Sequence, residues 1–172
     1  MYMNRLLKLA VLFILIVFVV INIKSNKGSF NDIIIERYPN KNDFNKLDLE
    51  KAEDDSKKMR HAEDDSEVIK ELLTYFQDLK VEKIDTFPSP EDAPSREMYE
   101  INFSEDDTYS KLKIEVLNDK YLRVLNYIYI RKYNKKENEI SYDNIFDMNL
   151  LRIVDSKLDL DYIDRVFNSL KE

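Results

Sequence analysis

The fold turns on YLRVLNYIYIRKYNKKENEISYDNIFDM, residues 121–148, two long runs of alternating apolar and polar residues on either side of a polar break. A period of two places successive side chains on opposite faces of an extended chain, so each run reads as a half-buried strand. The break at residues 134–138 then makes the pair a hairpin. Setting Tyr133 opposite Glu139 puts Leu122, Val124, Ile128 and Ile130 on one face with Ile140, Tyr142, Phe146 and Met148. The register matters because a slip of one residue turns a strand's whole apolar set to the other face.

Upstream, Tyr99, Ile101 and Phe103 alternate with polar residues, as do Leu112, Ile114 and Val116, which predicts two further strands joined by a polar turn at Glu105-Asp106-Asp107. Asn118-Asp119 supplies turn chemistry before Tyr121, both residues tolerating positive φ. A strand is expected over 81–87, closed by Pro88-Ser89-Pro90. Two segments change to the helical period. Val68, Ile69, Leu72, Leu73, Phe76 and Leu79 form one stripe over 66–79, with Asp64 and Glu67 as a capping box. Leu160, Ile163, Val166, Phe167 and Leu170 form another, capped by Asp159 or Asp161. An antiparallel sheet with one apolar face and two amphipathic helices satisfy each other as a two-layer α+β domain. The expectation is four to six strands with both helices on one face.

Residues 6–23 are the other strong signal. From Leu9 to Ile21 every residue is apolar, and Leu6 to Ile23 would rise about 27 Å as a helix, close to a bilayer's hydrocarbon thickness. No small-residue cleavage site follows, so the segment reads as a retained single transmembrane helix and not a removed leader. Arg5 and Lys8 on one side nearly balance Lys24 and Lys27 on the other. The acidic body that follows favours an amino terminus (residues 1–5) in the cytoplasm and a carboxy-terminal domain outside the cell membrane. Residues 24–65 then read as a charged tether with a short strand at 33–37, and 66–172 as the α+β domain. In the tether Ala52-Glu53-Asp54-Asp55-Ser56 recurs as Ala62-Glu63-Asp64-Asp65-Ser66, two copies being too few for a repeat fold. The helix, strand series and closing Leu158 to Leu170 segment resemble small membrane-anchored Gram-positive bacterial proteins of unknown function. The resemblance covers about 66–172 and implies no activity.

Function classes are narrowed mainly by exclusion. The 172-residue chain has a net charge of −7, and because Arg5 and Lys8 precede residue 24 the remainder carries −9, with bases interleaved among acids. Such a surface does not release counterions from nucleic acid. No cysteine and one glycine, Gly28, leave no thiolate chemistry, zinc ribbon, lipobox or phosphate-cradling loop. The lone His61 and the Glu-Asp-Asp runs at 53–55 and 63–65 lie in the tether, without the spacing that wraps ligands around calcium. No cofactor and no metal site is expected.

Arg123, Tyr127, Tyr129, Arg131 and Tyr133 share the polar face of the longest strand, and the register above adds Glu139, Ser141 and Asp143. Tyrosine and arginine combine large contact area with polar tips and are enriched where proteins bind. A solvent face of a strand also needs such residues. This face is nevertheless the best binding candidate in the chain, and Arg123, Tyr127, Tyr129, Arg131, Tyr133 and Asp143 are its expected residues. The sequence thus suggests a non-enzymatic interaction domain, held to the lipid bilayer through 6–23, that binds a protein or envelope component. Two alternatives are a hydrolase acting on envelope polymers through carboxylates and an immunity or inhibitor protein against a basic toxin or hydrolase.

Overall fold

The computed structural model describes residues 26–38, 44–53, 56–63, 67–89, 98–105, 110–134 and 139–170. In chain order these form β1 (Lys27–Ser29), α1 (Phe30–Ile33), a 3-10 turn (Ile35–Arg37), β2 (Lys46–Glu53), β3 (Ser56–Glu63), α2 (Glu67–Gln77), β4 (Lys80–Ile84), β5 (Tyr99–Ser104), β6 (Lys111–Val116), β7 (Tyr121–Asn134), β8 (Glu139–Ile153) and α3 (Leu160–Ser169). All eight strands pair antiparallel in one sheet, in the order β1-β4-β8-β7-β6-β5-β2-β3.

The alternation seen in the sequence becomes two chemically distinct faces. Leu49, Ile101, Ile114 and Val124 sit opposite one another from β2 to β7 and are fully buried. A neighbouring row runs Tyr99, Val116, Leu122, Leu151. Both α2 and α3 cover this inner face: Ile69, Leu72, Leu73 and Phe76 of one helix and Ile163, Val166 and Phe167 of the other join the sheet residues in a single core. The helices also touch each other. The Asp159 N–H donates to the Tyr75 hydroxyl (2.7 Å), Tyr75 packs on Tyr162, and the Asp159 carboxylate caps α3 by accepting from the Tyr162 N–H (2.9 Å). Lys51 ties α3 to the sheet through an ion pair with Asp164.

The expected domain of four to six strands with two helices is therefore corrected: the described residues form mostly an eight-stranded antiparallel sheet with three short helices. The extra strands lie in the stretch read as tether. Leu47 and Leu49 of β2 alternate with Asp48 and Glu50, a strand pattern that the surrounding charges conceal. In β3 the sequence Ser-Lys-Lys-Met-Arg-His-Ala-Glu has almost no apolar half, because an edge strand buries little and its charges deter further pairing. Ala52-Glu53 and Ala62-Glu63 of the two repeat copies close β2 and β3 respectively, and Ser56 of the first copy opens β3.

Residues 33–37 are not a strand. Ser29 and Asp32 form a reciprocal capping box that starts α1, and the 3-10 turn follows. A strand would turn Ile34 away from Ile33 and Ile35, whereas the helical turns bury all three. Tyr38 at the end of this segment is buried, its hydroxyl 2.9 Å from the Lys111 carbonyl and 3.1 Å from Asn126 Oδ1. Burial, with the negative charge of Asp147, raises its pKa well above the ordinary phenol value. The Asn118 turn also works differently from expectation. Neither Asn118 nor Asp119 has positive φ, and the Asn118 side chain instead accepts from the N–H groups of Lys120 and Tyr121.

The largest correction concerns the β7–β8 register. Tyr133 pairs with Ile140 and Asn134 with Glu139, one residue away from the expected alignment. Leu122, Val124 and Ile128 remain on the inner face, but their partners are Leu151, Asn149 and Ile145. Phe146 and Met148, expected in the core, are 59% and 60% exposed. The physical reason lies at the far end of the hairpin. Leu151 and Ile153 must face the core beside Val81 of β4 and Leu122 of β7, and this fixes odd-numbered β8 residues inward along an uninterrupted ladder.

Among the described residues no helix is long and apolar enough to cross a membrane. The apolar segment 6–23 and Asp64, the capping half of the expected Asp64–Glu67 box, lie outside the described residues, whereas Glu67 opens α2.

The register predicts unequal costs of truncation. Ile114→Ala should destabilise the domain by about 2–5 kcal/mol in denaturant unfolding, whereas Phe146→Ala should change it by less than about 0.5 kcal/mol. Equal costs at the two positions would mean that Phe146 is a core residue and the register is wrong.

Candidate functional site

Among the described residues no helix packs on the face opposite α2 and α3, and its Tyr121 corner is buried against Phe87. Its rows follow from the same registers. Glu50, Glu100, Glu115 and Arg123 stand opposite one another across β2, β5, β6 and β7. Three glutamates at successive cross-strand positions would repel, a destabilising arrangement for an exposed ladder. Cations from the adjacent rows offset this. Lys57 lies 3.1 Å from Glu50 and 3.6 Å from Glu100, Lys113 is 2.9 Å from Glu100 and 3.2 Å from Glu115, and Arg123 is 3.0 Å from Glu115. The result is a continuous band of alternating charge across five strands.

Burial opposes ionisation of Glu100, but hydrogen bonds from Lys113 and Asn102 and the charges of Lys113 and Lys57 outweigh it, holding this carboxyl below its usual range. Lys113 answers in kind. Partial burial works against its charge, yet Glu100 and Glu115 raise its pKa above the ordinary lysine value.

Beside the band the face dips into a concavity of about 500 Å³ lined by Asp48, Glu100, Asn102, Ser104, Lys111, Lys113 and Tyr127. These residues come from β2, β5, β6 and β7, and each is the outward member of its strand's alternation. Tyr127 forms one wall and stacks at 4.9 Å on Phe146, its cross-strand partner. Met148, opposite Leu125, extends this apolar margin. The site thus joins hydrogen-bonding groups of both signs to an exposed aromatic border. Such a surface holds a polar ligand by several weak contacts and offers apolar area for desolvation.

Of the residues expected from sequence, Arg123 and Tyr127 both lie on this face, Arg123 committed to Glu115 and Tyr127 at the concavity. Tyr129, Arg131 and Tyr133 follow on the same strand at register positions opposite Asn144, Tyr142 and Ile140; their side chains lie outside what is described. Asp143 does not join them. It pairs with Ile130, and Ser141 and Glu139 pair with Lys132 and Asn134, so the one-residue shift moves all three to the other set of rows.

The lining residues that sequence reading passed over are the polar halves of strands it found: Glu100, Asn102 and Ser104 between apolar residues, and Lys111 and Lys113 flanking Leu112. Their parity was visible, and so was the adjacency of β5, β6 and β7 through the turns at 105–107 and 118–119; the pairing of β2 with β5 was not. Asp48 was hidden with its strand. His61 is placed opposite Asp48 at the β3 edge. Among the described residues no three His, Asp or Glu side chains gather in a way that would hold a metal ion.

The chain matches no protein-family model, and no curated protein and no solved structure matches it. The site is therefore read from its own chemistry.

The charge band makes a pH prediction. Because Glu100 is depressed in the folded state, its contribution to stability is present above the ordinary Glu value of 4.5 and is lost as pH falls through the lower folded value. Lys113→Met should move the Glu100 carboxyl titration upward in NMR and flatten the acid limb of the stability profile. An unmoved titration would show that Lys113 does not hold that charge.

Proposed function

We propose that this protein is a non-enzymatic binding domain that presents the open face of its sheet to a protein or envelope component. The observation that carries the reading is the coincidence, on the face opposite the helices, of the concavity around Lys111, Lys113 and Asp48 with the exposed Tyr127–Phe146 pair and Met148. Exposed aromatic and methionine side chains bordering a polar concavity give the mixture of apolar anchor and polar orientation found at binding surfaces. The stretch 6–23 supports tethering of this domain to a bilayer.

A carboxylate hydrolase gains less support. Its general acid needs a carboxyl with a raised pKa, and Glu100, a carboxylate of the concavity, is held low. An inhibitor of a basic protein is a narrower form of the same binding function, and would use the acidic side of the band.

Two experiments test the proposal. Affinity capture from envelope fractions with the full chain should lose its partner in the Tyr127→Ala, Lys111→Ala double variant, while thermal stability changes little because both side chains lie outside the core. Capture that survives at full strength assigns binding elsewhere. Protease shaving of intact cells carrying a carboxy-terminal tag should remove the tag; protection, with cleavage after lysis, would place the domain in the cytoplasm.

A further inference from the structure

The hairpin of β7 and β8 outgrows the sheet. β6 accompanies β7 as far as Tyr127, and β4 accompanies β8 from Leu150 to Ile153, so residues 139–149 form an edge with no pairing strand among the described residues. The direction of the backbone groups on that edge follows from its rooted end. The Val154 N–H donates to Lys80 on the β4 side (2.9 Å) and the Ile153 N–H donates to Lys120 at the β7 side (2.8 Å). Peptide groups alternate along a strand, so Ile140, Tyr142, Asn144, Phe146 and Met148 direct N–H and C=O to the free side.

Two other edges carry bases. β3 carries Lys57, Lys58 and Arg60, and the free part of β7 carries Arg131 and Lys132, charges of one sign that resist pairing with a copy of themselves. On β8 the acids are spaced so that the alignment centred on the midpoint of its free segment avoids every clash. We propose that two copies of this chain pair antiparallel along β8, related by a two-fold axis at Asn144, joining their sheets edge to edge.

In this alignment Asn144 faces its own symmetry mate, Tyr142 faces Phe146 of the second copy, and Ile140 faces Met148. All are hydrogen-bonded pairs, and the free N–H and C=O groups of the edge are mutually satisfied. Glu139, Asp143 and Asp147 face Asn149, Ile145 and Ser141. The two nearest alignments that keep the backbone in phase fail on charge. Centring on Ile145 sets Asp143 against Asp147, and centring on Asp143 sets that residue against itself and Glu139 against Asp147. Alignments out of phase turn the hydrogen-bonding groups away from each other. The favoured centre is also the midpoint of the free segment, so the whole edge is used. Ile145, Phe146 and Met148, which are 47%, 59% and 60% exposed, all lie along the seam. The pairing uses the β8 backbone edge and leaves Lys111 and Tyr127 outside it, while Phe146 and Met148 border both the seam and the open face.

The chain has no cysteine, which makes crosslinking a direct test. Antiparallel hydrogen-bonded pairs have Cα atoms about 5.5 Å apart, within disulfide reach. Under mild oxidation of the full chain in detergent micelles, Asn144→Cys should give a covalent dimer and Met148→Cys should not. In the proposed register residue 148 lies about 27 Å from its own mate. Asn144→Pro removes an N–H that serves only the free edge, so it should weaken dimerisation in sedimentation equilibrium at least about tenfold, with a melting curve unchanged at concentrations low enough that both proteins are monomeric. A monomeric wild type, or crosslinking equal at 144 and 148, overturns the proposal. Neither outcome touches partner capture by the open face, so the two readings fail separately.

Discussion

The alignment of Leu122 opposite Leu151 is the constraint from which the rest of the domain follows. Both side chains are fully buried, and moving either to solvent would expose an apolar residue while drawing polar neighbours under the helices. Because β8 lies between β4 and β7, this one pairing fixes the parity of the longest strand pair and the attachment of β4. Inner rows filled by Leu49, Ile101, Ile114 and Val124 then propagate the same parity to β2, where the helices' apolar stripes find a continuous surface.

The outer face is the consequence of that parity. Each polar residue displaced from the core arrives beside polar residues of the adjoining strands, and three glutamates meet in a row that only interleaved lysines and an arginine make tolerable. These ion pairs are partly exposed and add little stability individually. Their effect is on order: Lys113 and Arg123 are committed to the band. The Lys111 ammonium and Tyr127 stand at the concavity instead. The same parity turns Phe146 and Met148 outward, giving the face the apolar margin on which the proposed binding rests.

The acidic character of the body and the lengths of its strands also shape what the molecule avoids. Basic residues guard β3 and the free part of β7, while no strand among the described residues pairs with the projecting part of β8 on its outer side. An edge of that kind attracts strands. The spacing of Glu139, Asp143 and Asp147 then selects among alignments, so specificity there comes from charges placed against wrong registers.

Much of this was legible before any coordinates. Tyr99, Ile101 and Phe103, and likewise Leu112, Ile114 and Val116, alternate so regularly that only one face can be buried, and the stripes of α2 and α3 identify the layer that buries it. Arg123 and Tyr127 were legible as outward residues for the same reason. β2 and β3 were not, since a strand near an edge keeps too few apolar residues to stand out from charged chain. The β7–β8 register was not legible either. Both alignments give plausible alternation within the hairpin, because Ile145 and Phe146 are adjacent apolar residues of opposite parity. What the sequence determined was therefore each strand's own two-sidedness, a local property of residue order. Which face of β8 turned inward, and hence the concavity, its aromatic wall and the free edge, was decided by the tertiary structure, because only packing of Leu151 and Ile153 against neighbouring strands breaks that tie.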